Sequence, residues 1–259
     1  THHHPDHVGL AGWFQKEYKV SLWMTRTAWL TARMLRLDEQ KVPPPETVEF
    51  WTQAGMRSDI MEERKSGKPF NFADAVSALP LGFRRIVDNE EIEIGNRIWK
   101  VRVGNGHAPE HATLWSNVDD IVLAGDQIIS SISPNLGVYA TEPNANPVKE
   151  WIDTCHKLSA FASDKHLTLS GHKLPFTGLK FRLKQMVENH ELALNRLVNF
   201  LEKPHTAEEC FSILFGKSIQ KSEYGLALVE AVAHVNYLYL EGTVSRVLDK
   251  NGAFRYQAL

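Results

Sequence analysis

Two periodicities divide the chain. Between about residues 84 and 126 apolar and polar positions alternate. Glu91 to Ile94, Ile98 to Val103, Ala112 to Trp115 and Asp120 to Ala124 each read as a strand, with a turn at Asn96 and a strand end at Gly104 to Gly106. Elsewhere the spacing is helical. Val8 to Phe14 reads as a tightly packed helix start, and Val20 to Met24 as a short buried strand. Thr27 is placed to cap a helix carrying Leu30, Met34 and Leu37 on one face. Pro43-Pro44-Pro45 opens a second helix with Val48, Phe50 and Trp51, closed by Gly55. The Trp and Met residues of this region (Trp23, Trp29, Trp51, Met24, Met34, Met56, Met61) read first as core, and second as an insertion covering an apolar pocket.

Towards the end, Glu191, Leu194, Leu197, Val198 and Leu201 predict an amphipathic helix stopped by Pro204. Thr206 caps a short helix, and Gly225 to Leu240 makes a longer one. Leu194, Leu197, Leu201, Leu226, Val229, Val232 and Leu238 are the positions expected to bury these helices. Asn251-Gly252 between two alternating runs then predicts a hairpin. Helices followed by a hairpin suggest a winged-helix module. The domain reading is residues 1–176 as one domain, with a helical insertion at about 25–83, and residues 177–259 as a second.

Composition narrows the classes. A chain of 259 residues, 43% hydrophobic, is long enough to bury a sizeable core. Lys+Arg 29 against Asp+Glu 31 gives net charge −2, so no global field draws it to nucleic acid or an acidic membrane. No run of about 18 apolar residues is present to span a membrane. Cys155 and Cys210 alone cannot build a disulfide framework or a Cys-rich zinc module, and the expected location is cytoplasmic. The first residue is not Met, so a targeting segment upstream would be invisible to this reading.

The histidines carry the chemistry. His2-His3-His4-Pro5-Asp6-His7 has the form His-x-His-x-Asp-His, and His107 follows a strand end. The mixture with Pro5 and Asp6 argues against an affinity tag. Imidazoles and carboxylates together suit zinc, manganese or iron(II), and two sets of three ligands can hold two ions. This motif, Gly106-His107-Ala108-Pro109-Glu110-His111, Leu123-Ala124-Gly125-Asp126 and Ser170-Gly171-His172 resemble, in order, the motifs of the metallo-β-lactamase superfamily, from the start to about Pro175.

The resemblance implies an α/β fold, an αββα sandwich whose first strands are missing from this chain, with about 50 to 90 further residues expected upstream. It implies one divalent ion on His2, His4 and His107, and another on Asp6, His7 and His172, with Asp126 bridging. Zinc is the first choice, and Mn2+ or Fe2+ the alternatives. A hydroxide between the ions would be the nucleophile, with Asp6 orienting it. His3 should point away, and His111 should support the ligands from behind. The last loop departs from the family's usual Pro-Gly-His-Gly, which makes His172 the weakest match.

Asp126 stands where antibiotic-hydrolysing members commonly have Cys, which points towards the glyoxalase II-like, lactonase and nuclease branches. The expected function is hydrolysis of a small ester, thioester or lactone, with Asn135 and Tyr139 as candidate pocket residues and a homodimer as an open assembly. The alternative is a metal-dependent endoribonuclease acting on single-stranded RNA. Lys180, Arg182, Lys184, Arg246 and Arg255 would contact phosphates, although Glu188, Glu191, Glu202, Glu208 and Glu209 offset them. A non-catalytic binding protein is the third reading, disfavoured because no ligand of the motif is lost.

Overall fold

The computed structural model describes residues 1–216 and 218–259. Its strands are β1 (Trp23–Met24), β2 (Arg84–Arg85), β3 (Glu91–Ile94), β4 (Arg97–Gly104), β5 (His111–Ser116), β6 (Ile121–Gly125), β7 (Leu167–Ser170), β8 (Val244–Leu248) and β9 (Phe254–Ala258). Its helices are α1 (Pro5–Val8), α2 (Ala11–Tyr18), α3 (Arg26–Leu37), α4 (Pro45–Gln53), α5 (Ser58–Ser66), α6 (Pro147–Ser159), α7 (Leu179–Phe200), α8 (Phe211–Phe215) and α9 (Tyr224–Leu240). None of the described helices is long and apolar enough to cross a membrane.

The alternating stretch forms a five-stranded sheet in the order β3-β4-β5-β6-β7 among the described residues. Its pairs are antiparallel except β6 with β7, which are parallel and therefore need the long crossover that contains α6. Ile92, Trp99, Val101 and Ala112 line one face, with Val103, Leu114, Ile121 and Leu123 half-buried against them. On the other face the Arg102 guanidinium lies over the Phe161 ring. Gly95 reverses the chain between β3 and β4 with φ +63°, beside the predicted turn at Asn96.

The chain divides into two compact units. One contains residues 1–39, 70–134 and 151–185; the other contains 40–69, 135–150 and 186–259. They interleave along the sequence. In the second unit Tyr224 Oη accepts the Arg57 N–H at 3.1 Å, and Asn236 Nδ2 donates to Pro143 O at 2.9 Å. Those partners are remote in sequence, and local periodicity carries no trace of them.

Four local expectations change. Thr25, not Thr27, occupies the N-cap of α3, and the Thr27 N–H donates instead to the Glu110 carboxylate at 2.6 Å. Leu30, Met34 and Leu37 are exposed, whereas Ala28 and Ala32 are buried with Val8, Met24 and Val76. Small residues one turn apart let that helix approach its neighbours closely, and the bulky stripe turns outward. Leu226 is also exposed, while the other six predicted tail positions are buried. Of the Trp and Met set, Met24, Met56 and Met61 are buried, but Trp23 and Met34 are exposed. The terminal hairpin is present as β8 and β9, antiparallel, from Val244↔Ala258 to Leu248↔Phe254.

Candidate metal centre

The opening motif folds against the sheet's end. The Ala112 N–H donates to Thr1 O at 2.9 Å, so the first residue lies beside the start of β5. Pro5 then starts α1 at a position where its missing N–H costs nothing. A strand-like His2 and His4 followed at once by a helical turn put Asp6 and His7 beside them. From the other side, β6 carries an irregularity in its register between Leu123 and Gly125, and Gly125 takes φ +51°. Such a bulge re-aims the residue after it, here Asp126, which is buried.

Two donor groups result. His2, His4 and His107 offer nitrogens that lie within 4.8 Å of one another, and so do the donor atoms of Asp6, His7, Asp126 and His172. In the first group the three facing nitrogens are 2.9, 3.1 and 3.3 Å apart. In the second, His172 Nε2 lies 3.0 Å from Asp6 Oδ2 and 3.2 Å from Asp126 Oδ2. His7 Nε2 lies 3.2 Å from Asp126 Oδ1. The groups meet at Asp126, whose Oδ2 is 3.7 Å from His107 Nε2.

Electrostatics keep His2 and His4 neutral. Burial first, then the neighbouring imidazoles, drive His2 far below its ordinary range and His4 down to about 2. Burial opposes ionisation of Asp126 too, but His7, by hydrogen bonding and charge, and the charges of His107 and His172 bring it below the usual carboxylate value. A neutral imidazole and an ionised carboxylate are the states that ligate metal, so His2, His4 and Asp126 are already in the form that binds an ion.

The donor set fits divalent metal ions. Three imidazole nitrogens cannot all donate to one another, so lone pairs converge on one point. Ligands about 2.0–2.1 Å from a tetrahedral ion lie roughly 3.3 Å apart, close to the spacing found. Asp126 Oδ1 is buried and faces His7 Nε2 at 3.2 Å, two donor atoms that an ion between them would bridge. Space agrees as well: a Cβ on Gly171 would overlap Asp126 Oδ1 and come within 2.5 Å of His7 Cε1.

The supporting positions separate. His3 belongs to neither group; it is buried, stacks 6.3 Å from the Phe72 ring, and burial brings it down to about 4. His111 is fully buried, and its Nε2 accepts the Asp126 backbone N–H at 3.1 Å, so it holds the loop rather than an ion. Asn135 and Tyr139 lie in the second unit, where Asn135 Nδ2 donates to Glu230 Oε2 at 2.6 Å. Two contributors escaped sequence reasoning. Thr1 Oγ1 contacts His2 Nδ1 at 3.0 Å, and Glu110, at φ +47°, ties the His107 loop to α3 through Thr25 and Thr27. A left-handed residue inside a ligand loop has no signature in residue type when it is not glycine.

Residues 1–178 match the sequence model of the family described as the metallo-beta-lactamase superfamily, and residues 194–259 match that of the metallo-beta-lactamase-like C-terminal domain. A beta-lactamase domain protein from Burkholderia ambifaria shares 30% identity and superposes with TM-score 0.90 over 100% of this chain and 74% of its own. A metallo-beta-lactamase family protein from Thermus thermophilus superposes with TM-score 0.80 at 24% identity, over 100% and 78%. The probable metallo-hydrolase YqjP of Bacillus subtilis is 24% identical over 98% of this chain and 78% of its own.

Proposed function

The chain belongs to the metallo-beta-lactamase superfamily and is a metal-dependent hydrolase, and on that premise we propose that it is a dinuclear enzyme acting on a small ester, thioester or lactone. The observation that supports the reading is that the two donor groups adjoin, with Asp126 Oδ2 of one 3.7 Å from His107 Nε2 of the other. His2, His4 and His107 would hold one ion, and Asp6, His7 and His172 the other, with zinc the first candidate. When bound, such ions supply a Lewis acid for a carbonyl oxygen and acidify water to near neutral pH.

The chain's own groups do the rest. Asp6 is the most exposed donor of its group, with its side chain 53% accessible, and its carboxylate is the group that faces incoming substrate and can take or orient a proton. His111 keeps Asp126 in place through the backbone, so the bridging carboxylate does not need to reorganise during reaction. The family C-terminal domain here has helices followed by the β8–β9 hairpin, which supports a winged-helix-like reading of that region.

A ribonuclease is the weaker reading because three of its five basic residues are engaged internally. Arg182 is buried on backbone carbonyls, Arg255 is paired with Asp249 and Glu209, and Arg246 lies over the Tyr239 and Phe254 rings. Guanidinium groups so committed are poor phosphate contacts. The test is metal analysis of the intact protein with a hydrolysis screen of thioesters, lactones and single-stranded RNA. We expect about two divalent ions per protomer and turnover of a carbonyl substrate. His2→Ala and Asp126→Ala should each lose at least one ion and most activity. Unchanged metal content in both variants, or RNA as the sole substrate, would refute the assignment.

A further inference from the structure

We propose that Ser170 and Arg182 are positioning residues that lock the bridging Asp126 to the loop of His172 and thereby set how tightly the Asp6, His7, Asp126 and His172 group holds its ion. The inference rests on the reading that this group binds metal.

After Asp126 the chain leaves the sheet, and residues 127–134 enter no helix or strand. Gln127, Ile128 and Ile129 are nevertheless buried. Buried carbonyls need donors, and here side chains supply them. Trp151 Nε1 donates to Gln127 O at 3.2 Å, Ser170 Oγ to Ile128 O at 2.7 Å, Arg182 Nε to Ile129 O at 2.8 Å and Arg182 Nη2 to Ile132 O at 2.9 Å. The loop that carries Asp126 is thus shaped by side chains from three other segments and not by a ladder of its own.

Ser170 is the closest of these to the chemistry. It lies two residues before His172, and the carbonyl it holds lies two residues after Asp126. Next to it the Gly171 N–H donates to Gly125 O at 2.8 Å. A backbone tie and a hydroxyl tie therefore bracket the 3.2 Å approach of His172 to Asp126. The resembled family more often has Pro at residue 170, which has no hydroxyl for this bond, so in this chain the joint is made by a side chain. Arg182 fixes the far end of the same loop. Its guanidinium is buried, donates to two carbonyls at once and donates a third bond to Gln185 Oε1 at 2.6 Å. A buried cation held this way tolerates little displacement, because any movement unpairs several charge-assisted bonds together. Neither residue has a described hydrogen bond to Thr1–His7 or to residues 104–111, so the three-histidine group is left alone.

The test is stepwise competition for Zn2+ between a chromophoric chelator and the intact protein, with melting of the metal-free protein as a check on folding. The parent, Ser170→Ala, Ser170→Thr and Arg182→Lys are compared. We expect Ser170→Ala to keep one tight ion and to weaken the other by roughly 10- to 100-fold, the usual effect of removing a group that orients a ligand. Ser170→Thr, which keeps the hydroxyl, should restore the second ion. Arg182→Lys should weaken it as well, because an ammonium cannot fork across two carbonyls. If Arg182→Lys does not fold, the Ser170 pair decides alone. Parent affinities for both ions in Ser170→Ala, or equal weakening of both, would overturn the proposal. A parent that binds a single ion would instead refute the two-ion reading, and with it this inference, before any variant is measured.

Discussion

Gly171 has no room for a side chain, and the reason lies in the donor group around it. A methyl there would overlap Asp126 Oδ1 and crowd His7 Cε1, atoms of two different candidate donors. Gly171→Ala should therefore cost the ion of that group and spare the fold. Metal content should fall from about two ions to one, while the melting temperature of the metal-free protein stays within about 2 °C, since no hydrophobic burial is lost. Retention of both ions would show that the loop can move aside without consequence. At this scale the chemistry was legible in the sequence, because His, Asp and their spacing name themselves. The structure brings together all seven candidates, His2, His4, Asp6, His7, His107, Asp126 and His172. Asn135 is different, since its amide is spent on Glu230 and Leu226 O. Serine and arginine types give no warning that Ser170 and Arg182 will hold a loop, because that depends on which carbonyls they meet.

Among the elements, α9 buries an unusual carboxyl. Burial pushes Glu230 up from 4.5 to about 7, with the Asn135 hydrogen bond pulling the other way. Its neighbour His234 is brought down by burial to about 4 and stays neutral above that. Below pH 4.5 Glu230 is protonated in both folded and unfolded chains. Between about 4.5 and 7 the unfolded chain releases its proton first, so this group's contribution to stability declines as pH rises, and above 7 it stays low. Glu230→Gln keeps a carbonyl for Asn135 and removes the titration. It should match the parent near pH 4.5 and exceed it at pH 8 by at most about 3 kcal/mol, read from urea midpoints. An equal difference at both pH values would exclude Glu230 as the source. The strands were legible because a buried sheet face enforces alternation. The outward stripe of α3 was not, because Ala28 and Ala32 carry almost no hydrophobic signal and yet define the packed side.

For the whole molecule, ion binding is linked to stability. Groups that bind metal only when folded stabilise the fold by about 2.7 kcal/mol at a free ion concentration 100-fold above the dissociation constant. For a chain of this size that is a rise in melting temperature of roughly 5–10 °C. Adding Zn2+ to chelator-stripped protein, followed by thermal melting, should show a rise of this order, and His2→Ala should lose most of it. No shift in the parent would mean that the folded protein does not bind Zn2+ in preference to the unfolded chain, and would overturn the metal reading. The sequence by itself determined the family, four strands of the five-stranded sheet, the terminal hairpin and the candidate donor set, because each is written in short motifs or in a period of two. Only the tertiary structure decided how residues 40–69 and 135–150 join the tail in one compact unit, and which buried carbonyls Ser170, Trp151 and Arg182 must satisfy. Those are pairings between segments tens of residues apart. They arise from burying apolar surface and pairing every polar group within it, and no local pattern records the partner.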